Sequence, residues 1–117
     1  MIERLVLADL QALAANPERL DWLPLRPGIE MHRLYHHGND GPSAALLRYQ
    51  PGATLARHRH TGFEHIFVLA GSQQDEQGFY RAGALIVNPP GSAHFVASPD
   101  GCIVLVLWEK SVSFEPA

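Results

Sequence analysis

The chain has 117 residues, 46% hydrophobic and 18% charged, which makes one globular domain with an ordinary core and excludes a disordered chain. Nine basic and 12 acidic residues give a formal charge of -3, and Lys110 is the only lysine. A groove that tracks phosphates needs a basic cluster, so nucleic acid is not an expected partner.

The N-terminus, Met1 to Asp9, carries acidic residues and no long apolar core, so no secretory signal is read there. Leu10, Leu13 and Ala14 then recur at helical spacing behind Asp9, a natural N-cap, until Asn16-Pro17 stops the run. One short helix of about two turns is expected, followed by a loop through Pro24 and Pro27-Gly28. The chain is thus expected to divide into an N-terminal helical and loop segment, 1–28, packing on a barrel formed by 29–117.

From about residue 30 the chain reads as short strands between turn signals. The expected strands are Met31–His36, Ala44–Gln50, Ala53–His60, Glu64–Ala70, Ala84–Val87, His94–Ala97 and Ile103–Lys110. Gly38 to Pro42, Pro51-Gly52, Thr61-Gly62, Gly71 to Gly78, Pro89 to Gly91 and Pro99 to Gly101 punctuate them. Such spacing points to an all-β sandwich or barrel. The longest apolar run, Ile103 to Trp108, is far shorter than the ~20 residues of a membrane span. A cytoplasmic, membrane-free domain is expected. The single cysteine, Cys102, excludes an intrachain disulfide and a multi-cysteine metal site, and is read as a buried small hydrophobe.

The chain's seven histidines carry the chemistry. On a strand, His58 and His60 share one face while Arg57 and Arg59 take the other. A reversal at Thr61-Gly62-Phe63 is expected to set Glu64 on the neighbouring strand, and the turn-rich stretch Gly83 to Ser92 delivers His94. Three imidazoles and a carboxylate make a four-ligand metal site on a β scaffold, suited to Zn, Fe, Mn or Ni. In a chain this rich in His and Glu, His-x-His-x3-Glu arises by chance only about 0.03 times, so the spacing carries information. His36 and His37 read as loop-edge residues, His65 as pointing out of the barrel, and His32 receives no role. Tyr49, Tyr80, Phe95 and Trp108 read as core or rim packing. Ile66 to Leu69 is apolar on both faces, so its outer face needs cover from the N-terminal segment or a second subunit. No spare inward carboxylate or histidine is evident as a general acid or base.

Gly52-x5-His58-x-His60-x3-Glu64-x6-Gly71 and Gly83-x5-Pro89-x-Gly91-x2-His94 resemble the two cupin motifs position for position, except that Ser98 stands where the family usually has Asn. The resemblance implies a single-domain double-stranded β-helix, or jelly-roll, barrel with a short N-terminal helix and one divalent metal on His58, His60, Glu64 and His94. A narrower likeness lies in Asp75-Glu76-x-Gly78-x-Tyr80-x2-Gly83, Asn88-Pro89-Pro90-Gly91-Ser92-x-His94 and Gly101-Cys102. These residues resemble the ChrR-like group, which includes the cupin domain of the anti-sigma factor ChrR, stand-alone proteins and dioxygenases. Many members have Gly-Glu-Glu where this chain has Phe63-Glu64-His65. The segment ahead of the barrel lacks the His and Cys motif of a sigma-gripping zinc domain, so direct sigma-factor inhibition is not expected. The resemblance also implies a homodimer. Two functions stay open: metal-dependent binding of a small anionic or chelating ligand in a sensor or regulatory role, or Fe(II)-dependent dioxygenation of a β-diketone or similar enolisable substrate.

Overall fold

The computed structural model describes residues 3–114. Met1-Ile2 and 115–117, the outer ends of the two expected segments, lie outside the described residues. Helix α1, Leu10–Ala15, is capped as its sequence implies, with the Ala12 amide donating to Asp9 Oδ1 at 3.0 Å. Ten strands follow: β1 Leu23–Arg26, β2 Ile29–His36, β3 Ser43–Tyr49, β4 Ala53–His60, β5 Glu64–Asp75, β6 Gly78–Arg81, β7 Leu85–Asn88, β8 Ala93–Ser98, β9 Cys102–Trp108 and β10 Val112–Phe114. All pair antiparallel in a sheet curled into a barrel. One wall is β1-β2-β3-β9-β5-β7. The other is β10-β4-β8, joined by β6 and the far end of β5.

The seven expected strands recur, Ala53–His60 with its expected ends and the others with shifted ones, and the strand pattern departs from expectation in three places. Pro24 lies inside β1 rather than in a loop; β1 is an edge strand, where a proline's missing N–H costs no ladder bond. The stretch from Gly71 to Gly78 is not one turn: β5 runs on to Asp75 and turns into β6. Gly71 marks where β5 passes from one wall to the other. Its φ is +72°, and a Cβ there would collide with the Gly101 carbonyl oxygen, so only glycine fits. Strand β10 has no counterpart among the expected elements.

Inside the barrel Ile29, Leu47, Tyr49, Ile66, Val68, Val96, Val104 and Val106 form the core. A second apolar layer lies outside, where Ala14 of α1, with Leu10, Leu20 and Trp22, covers Leu46, Leu69 and Ile103. The N-terminal segment therefore supplies the cover that the doubly apolar strand needs. Fully burying each such aliphatic side chain is worth roughly 1.5–3 kcal/mol. Farther along the same outer face, Leu85, Val87 and Leu107 remain exposed. Among the described residues no helix is long and apolar enough to cross a membrane.

Candidate metal centre

Strand β4 changes its inward parity halfway along. Ala53 and Leu55 are partly buried, Ala56 and Arg57 are exposed, and His58 and His60 are buried. The pairing of β4 with β8 slips between Leu55 and His58. This bulge moves the inward positions from odd to even numbers, which brings both histidines into the barrel. Arg57 and Arg59 face out, as the alternation implies, and bind Glu76 and the Gly91 carbonyl oxygen. His94 lies opposite His58 in the ladder.

Glu64 arrives differently from the expectation. Thr61-Gly62-Phe63 is not a hairpin to an adjacent strand, because this part of β5 pairs with β7 and β9 of the opposite wall. The carboxylate faces the histidines across the barrel interior instead. His58, His60, Glu64 and His94 are 2%, 1%, 5% and 6% exposed, and one possible ligand atom from each lies within 4.8 Å of the others. These four side chains could hold a metal ion.

The hydrogen bonds behind the imidazoles decide what they offer. His58 Nδ1 lies 2.9 Å from the Ala56 carbonyl oxygen and His94 Nδ1 lies 3.1 Å from Asp75 Oδ2; both partners only accept, so both nitrogens donate. The Ser92 hydroxyl donates to the Pro89 carbonyl oxygen at 2.6 Å, which leaves Ser92 Oγ to accept from His60 Nδ1 at 2.9 Å. In their neutral form all three rings then turn a bare Nε2 lone pair inward. Burial favours that form at His58 by lowering its pKa, outweighing the Ala56 carbonyl.

Unprotonated acceptors thus converge. His94 Nε2 and His58 Nε2 are 3.0 Å apart, and His60 Nε2 is 2.9 Å from Glu64 Oε1 yet makes no hydrogen bond. Burial raises the Glu64 pKa, and the Asn88 amide opposes it by donating to the carboxylate. Asn88 Nδ2 donates to its Oε1 at 3.0 Å and Trp108 Nε1 to its Oε2 at 2.7 Å. Lone pairs crowded without protons between them are a donor set matched to a cation, and three N with one O suits a borderline divalent ion.

The supporting groups are less legible in the sequence. Asn88 and Ser92 sit inside the second motif without an assigned role, and Trp108 reads only as packing. Asp75 stands out only as part of the likeness; Gln77 N–H and Tyr80 Oη–H also donate to it, and with His94 they lower its pKa despite burial. Phe95, expected in the core or rim, is 42% exposed on the outer face, where His36 and His37 are also solvent-facing. Cys102 is buried, as expected.

Three of the four residues border a cavity of about 200 Å³. Its walls are mostly apolar, with Leu47, Leu55, Ile66, Val96 and Val106, and Arg26 and Arg33 also line it. Phe114 of β10 packs 5.4 Å from the His58 ring, and the Arg26 guanidinium lies 4.3 Å over Phe114.

A curled antiparallel barrel, with a cluster of three histidines and one glutamate set into one end, defines a cupin. The model of the ChrR cupin-like domain matches residues 10–111, and the chain belongs to that family. No curated protein matches it. Among solved structures it is similar to the acetylacetone dioxygenase of Acinetobacter johnsonii at 16% identity and a TM-score of 0.78, over 99% of this chain and 79% of that one. An RmlC-like cupin of Ralstonia eutropha JMP134 matches at 18% identity and 0.75, over 85% and 69%. A chain in the complex of Rhodobacter sphaeroides SigE with the anti-sigma ChrR matches at 27% identity and 0.70, over 78% of this chain and half of that one.

Proposed function

We propose that the protein is a metal-dependent binding module, in which His58, His60, Glu64 and His94 hold one divalent ion and the cavity takes a small anionic or chelating oxygen ligand in a sensor or regulatory role. The observation that carries this reading is the convergence of four unprotonated acceptors beside that cavity. When bound, the ion would supply Lewis acidity and about one net positive charge toward an oxygen ligand. The chain's own residues add to that field. Arg26 and Arg33 line the cavity, and among the described residues neither forms an ion pair with a carboxylate. Apolar walls strengthen such attraction by excluding water.

Binding is favoured over turnover by what the cavity omits. Among the described residues, its lining outside the four includes no carboxylate and no histidine to serve as general acid or base. A second reading is Fe(II)-dependent dioxygenation of a β-diketone, which needs no such group. The small apolar cavity and the likeness to an acetylacetone dioxygenase over nearly the whole chain support it. A homodimer and a cytoplasmic setting belong to the same reading, with exposed Leu85, Val87 and Leu107 as the surface where a second copy would pack.

Metal analysis with an oxygen electrode tests the reading. Purified protein should carry about one divalent ion per chain and, loaded with Fe(II), bind acetylacetone without oxygen uptake beyond a free-iron control. Protein that takes up no ion in any divalent salt overturns the metal reading. Oxygen uptake proportional to added acetylacetone, lost on Glu64→Ala, replaces the binding role with the dioxygenase.

A further inference from the structure

The residues that line the cavity are buried or half-buried except Leu25, Arg26, Arg33, Ser111 and Phe114, so these five mark its mouth. The mouth lies on a seam of the barrel. β1 and β10 are the two ends of the strand order. Among the described residues β1 pairs only with β2 and β10 only with β4, so no ladder closes the sheet here. Leu25 and Arg26 of β1, with Arg33 of β2, form one lip, and Ser111 and Phe114 form the other.

One side chain spans this seam. Arg26 pairs with Ile29, and Ile29 with Tyr49, so its backbone sits at the end of the barrel remote from Glu64. Its guanidinium nonetheless lies 4.3 Å over the Phe114 ring, and Phe114 pairs with His58 and packs 5.4 Å from its ring. A single aromatic ring therefore links this cation to the histidine cluster. Among the described residues the guanidinium has no hydrogen bond and no ion pair; its partner is the ring alone. A guanidinium lying over a ring keeps its in-plane N–H donors free for the two oxygens of a carboxylate. Arg33, by contrast, turns back along its own strand, with Nη2 3.8 Å from Met31 Sδ. Arg26 and Phe114 also line a surface groove with Pro27, Thr54 and Phe95, so the pair divides the cavity from the outside.

We propose that Arg26 is a specificity-determining residue that grips a carboxylate at the mouth, so that the ligand is a short linear acid with a chelating oxygen head at its other end. This rests on the metal-dependent binding reading and narrows it. Between the two ends the walls are apolar, with Leu47, Leu55 and Val96, and a charge placed there would lose its hydration with nothing to offset it. At the mouth the carboxylate keeps part of its water, and Arg26 supplies the opposite charge. Among the described residues Glu64 is the only carboxylate of the lining, and it faces the cluster, so no side chain of the cavity competes for Arg26. At about 200 Å³ the cavity is smaller than the roughly 300–1,000 Å³ of drug-sized sites, which limits the spacer to a few methylenes.

Two probes with the same hydroxamate head and spacer test the assignment: glutaric acid monohydroxamate, and 5-methylhexanohydroxamic acid, in which an isopropyl group replaces the carboxylate. Both are titrated by calorimetry into Zn(II)-loaded protein. The wild type should bind the acid about fivefold more tightly, the upper end for a partly exposed ion pair, and the preference should shrink with added salt. Arg26→Gln should abolish the preference and leave affinity for 5-methylhexanohydroxamic acid unchanged, whereas Arg33→Gln should keep it. Equal wild-type affinity for the two probes, a preference that survives Arg26→Gln, or one that Arg33→Gln removes as well, overturns the assignment. So does an equal loss of affinity for both probes in Arg26→Gln, which would make the side chain a support of the fold. The metal-free protein gives an independent readout: glutarate should shift the Arg26 Nε–H signal in NMR spectra and leave that of Arg33 in place. Failure to take up zinc overturns the underlying metal reading instead, and the glutarate titration still judges Arg26, whose role an unmoved signal overturns.

Discussion

Asp75 Oδ2 accepts a hydrogen bond from His94 Nδ1 across 3.1 Å, and this carboxylate, not the histidine's own strand, fixes which ring nitrogen faces the cluster. Asp75 is itself held by the Gln77 amide and the Tyr80 hydroxyl. Carboxylates in this position orient a ligating imidazole and raise its basicity. Asp75→Ala should therefore weaken Zn(II) binding by about 10- to 100-fold with all four ligands intact. Asp75→Asn should lose less, since its amide oxygen still accepts from Nδ1. Competition with a chromogenic chelator measures both; unchanged affinity in Asp75→Ala would show that His94 is oriented by other means.

His60 ties two walls of the barrel through the cluster, since β4 and the Glu64 stretch of β5 share no ladder. His60→Ala should lose the ion and, with it, the stabilisation that the ion brings. That stabilisation is roughly 2.7 kcal/mol at a hundredfold excess over Kd, because the ion binds only the folded chain. Melting curves with and without Zn(II) should differ in the wild type and coincide in the variant. A variant that keeps its full metal content shows that His60 is not a ligand.

Burial pushes the Cys102 thiol up to about 11, with Ser98 and the Tyr49 backbone opposing only in part. In the unfolded chain the thiol ionises near its ordinary value of 9.0. Thiolate thus forms more readily unfolded, so stability is unaffected below pH 9 and falls as pH rises from there toward 11. The loss by that point is about 2 kcal/mol. Cys102→Ser or Cys102→Ala should flatten this alkaline decline in urea-unfolding midpoints taken from pH 7 to 11. At pH 8 the native thiol should resist a disulfide reagent that reacts promptly in urea; prompt labelling of folded protein contradicts the burial.

The cluster is legible because its spacing is set by covalent sequence: His58, His60, Glu64 and His94 sit at fixed offsets among glycines and prolines. What places them is not. The bulge at Ala56 and Arg57 adds no unusual residue, yet it decides that even-numbered positions face inward. Gly71 looks like the start of a turn because glycine signals a positive φ equally in a turn and in a strand changing walls. Pro24 argues for a loop, and only knowledge that β1 lies at an edge removes the conflict.

Trp108 gives the last test, because it touches the cluster without belonging to it. Its indole N–H donates to Glu64 Oε2 at 2.7 Å, while Asn88 holds the other carboxylate oxygen, so Glu64 is gripped at both ends before any ion arrives. Hydrogen bonds to charged groups contribute about 1.5–3 kcal/mol. Part of that energy stabilises the fold and part pre-orients the carboxylate. Trp108→Phe keeps most of the apolar volume and removes only the donor. It should lower Zn(II) affinity by about tenfold, with a smaller loss of apoprotein stability, and Asn88→Ala added to it should cost more than the two single changes suggest, because Glu64 then has neither support. The chelator competition used for Asp75 reads the affinity, and urea unfolding reads the stability. If Trp108→Phe binds zinc as tightly as wild type while the double variant also matches it, Glu64 needs no pre-orientation and its two hydrogen bonds serve the fold alone.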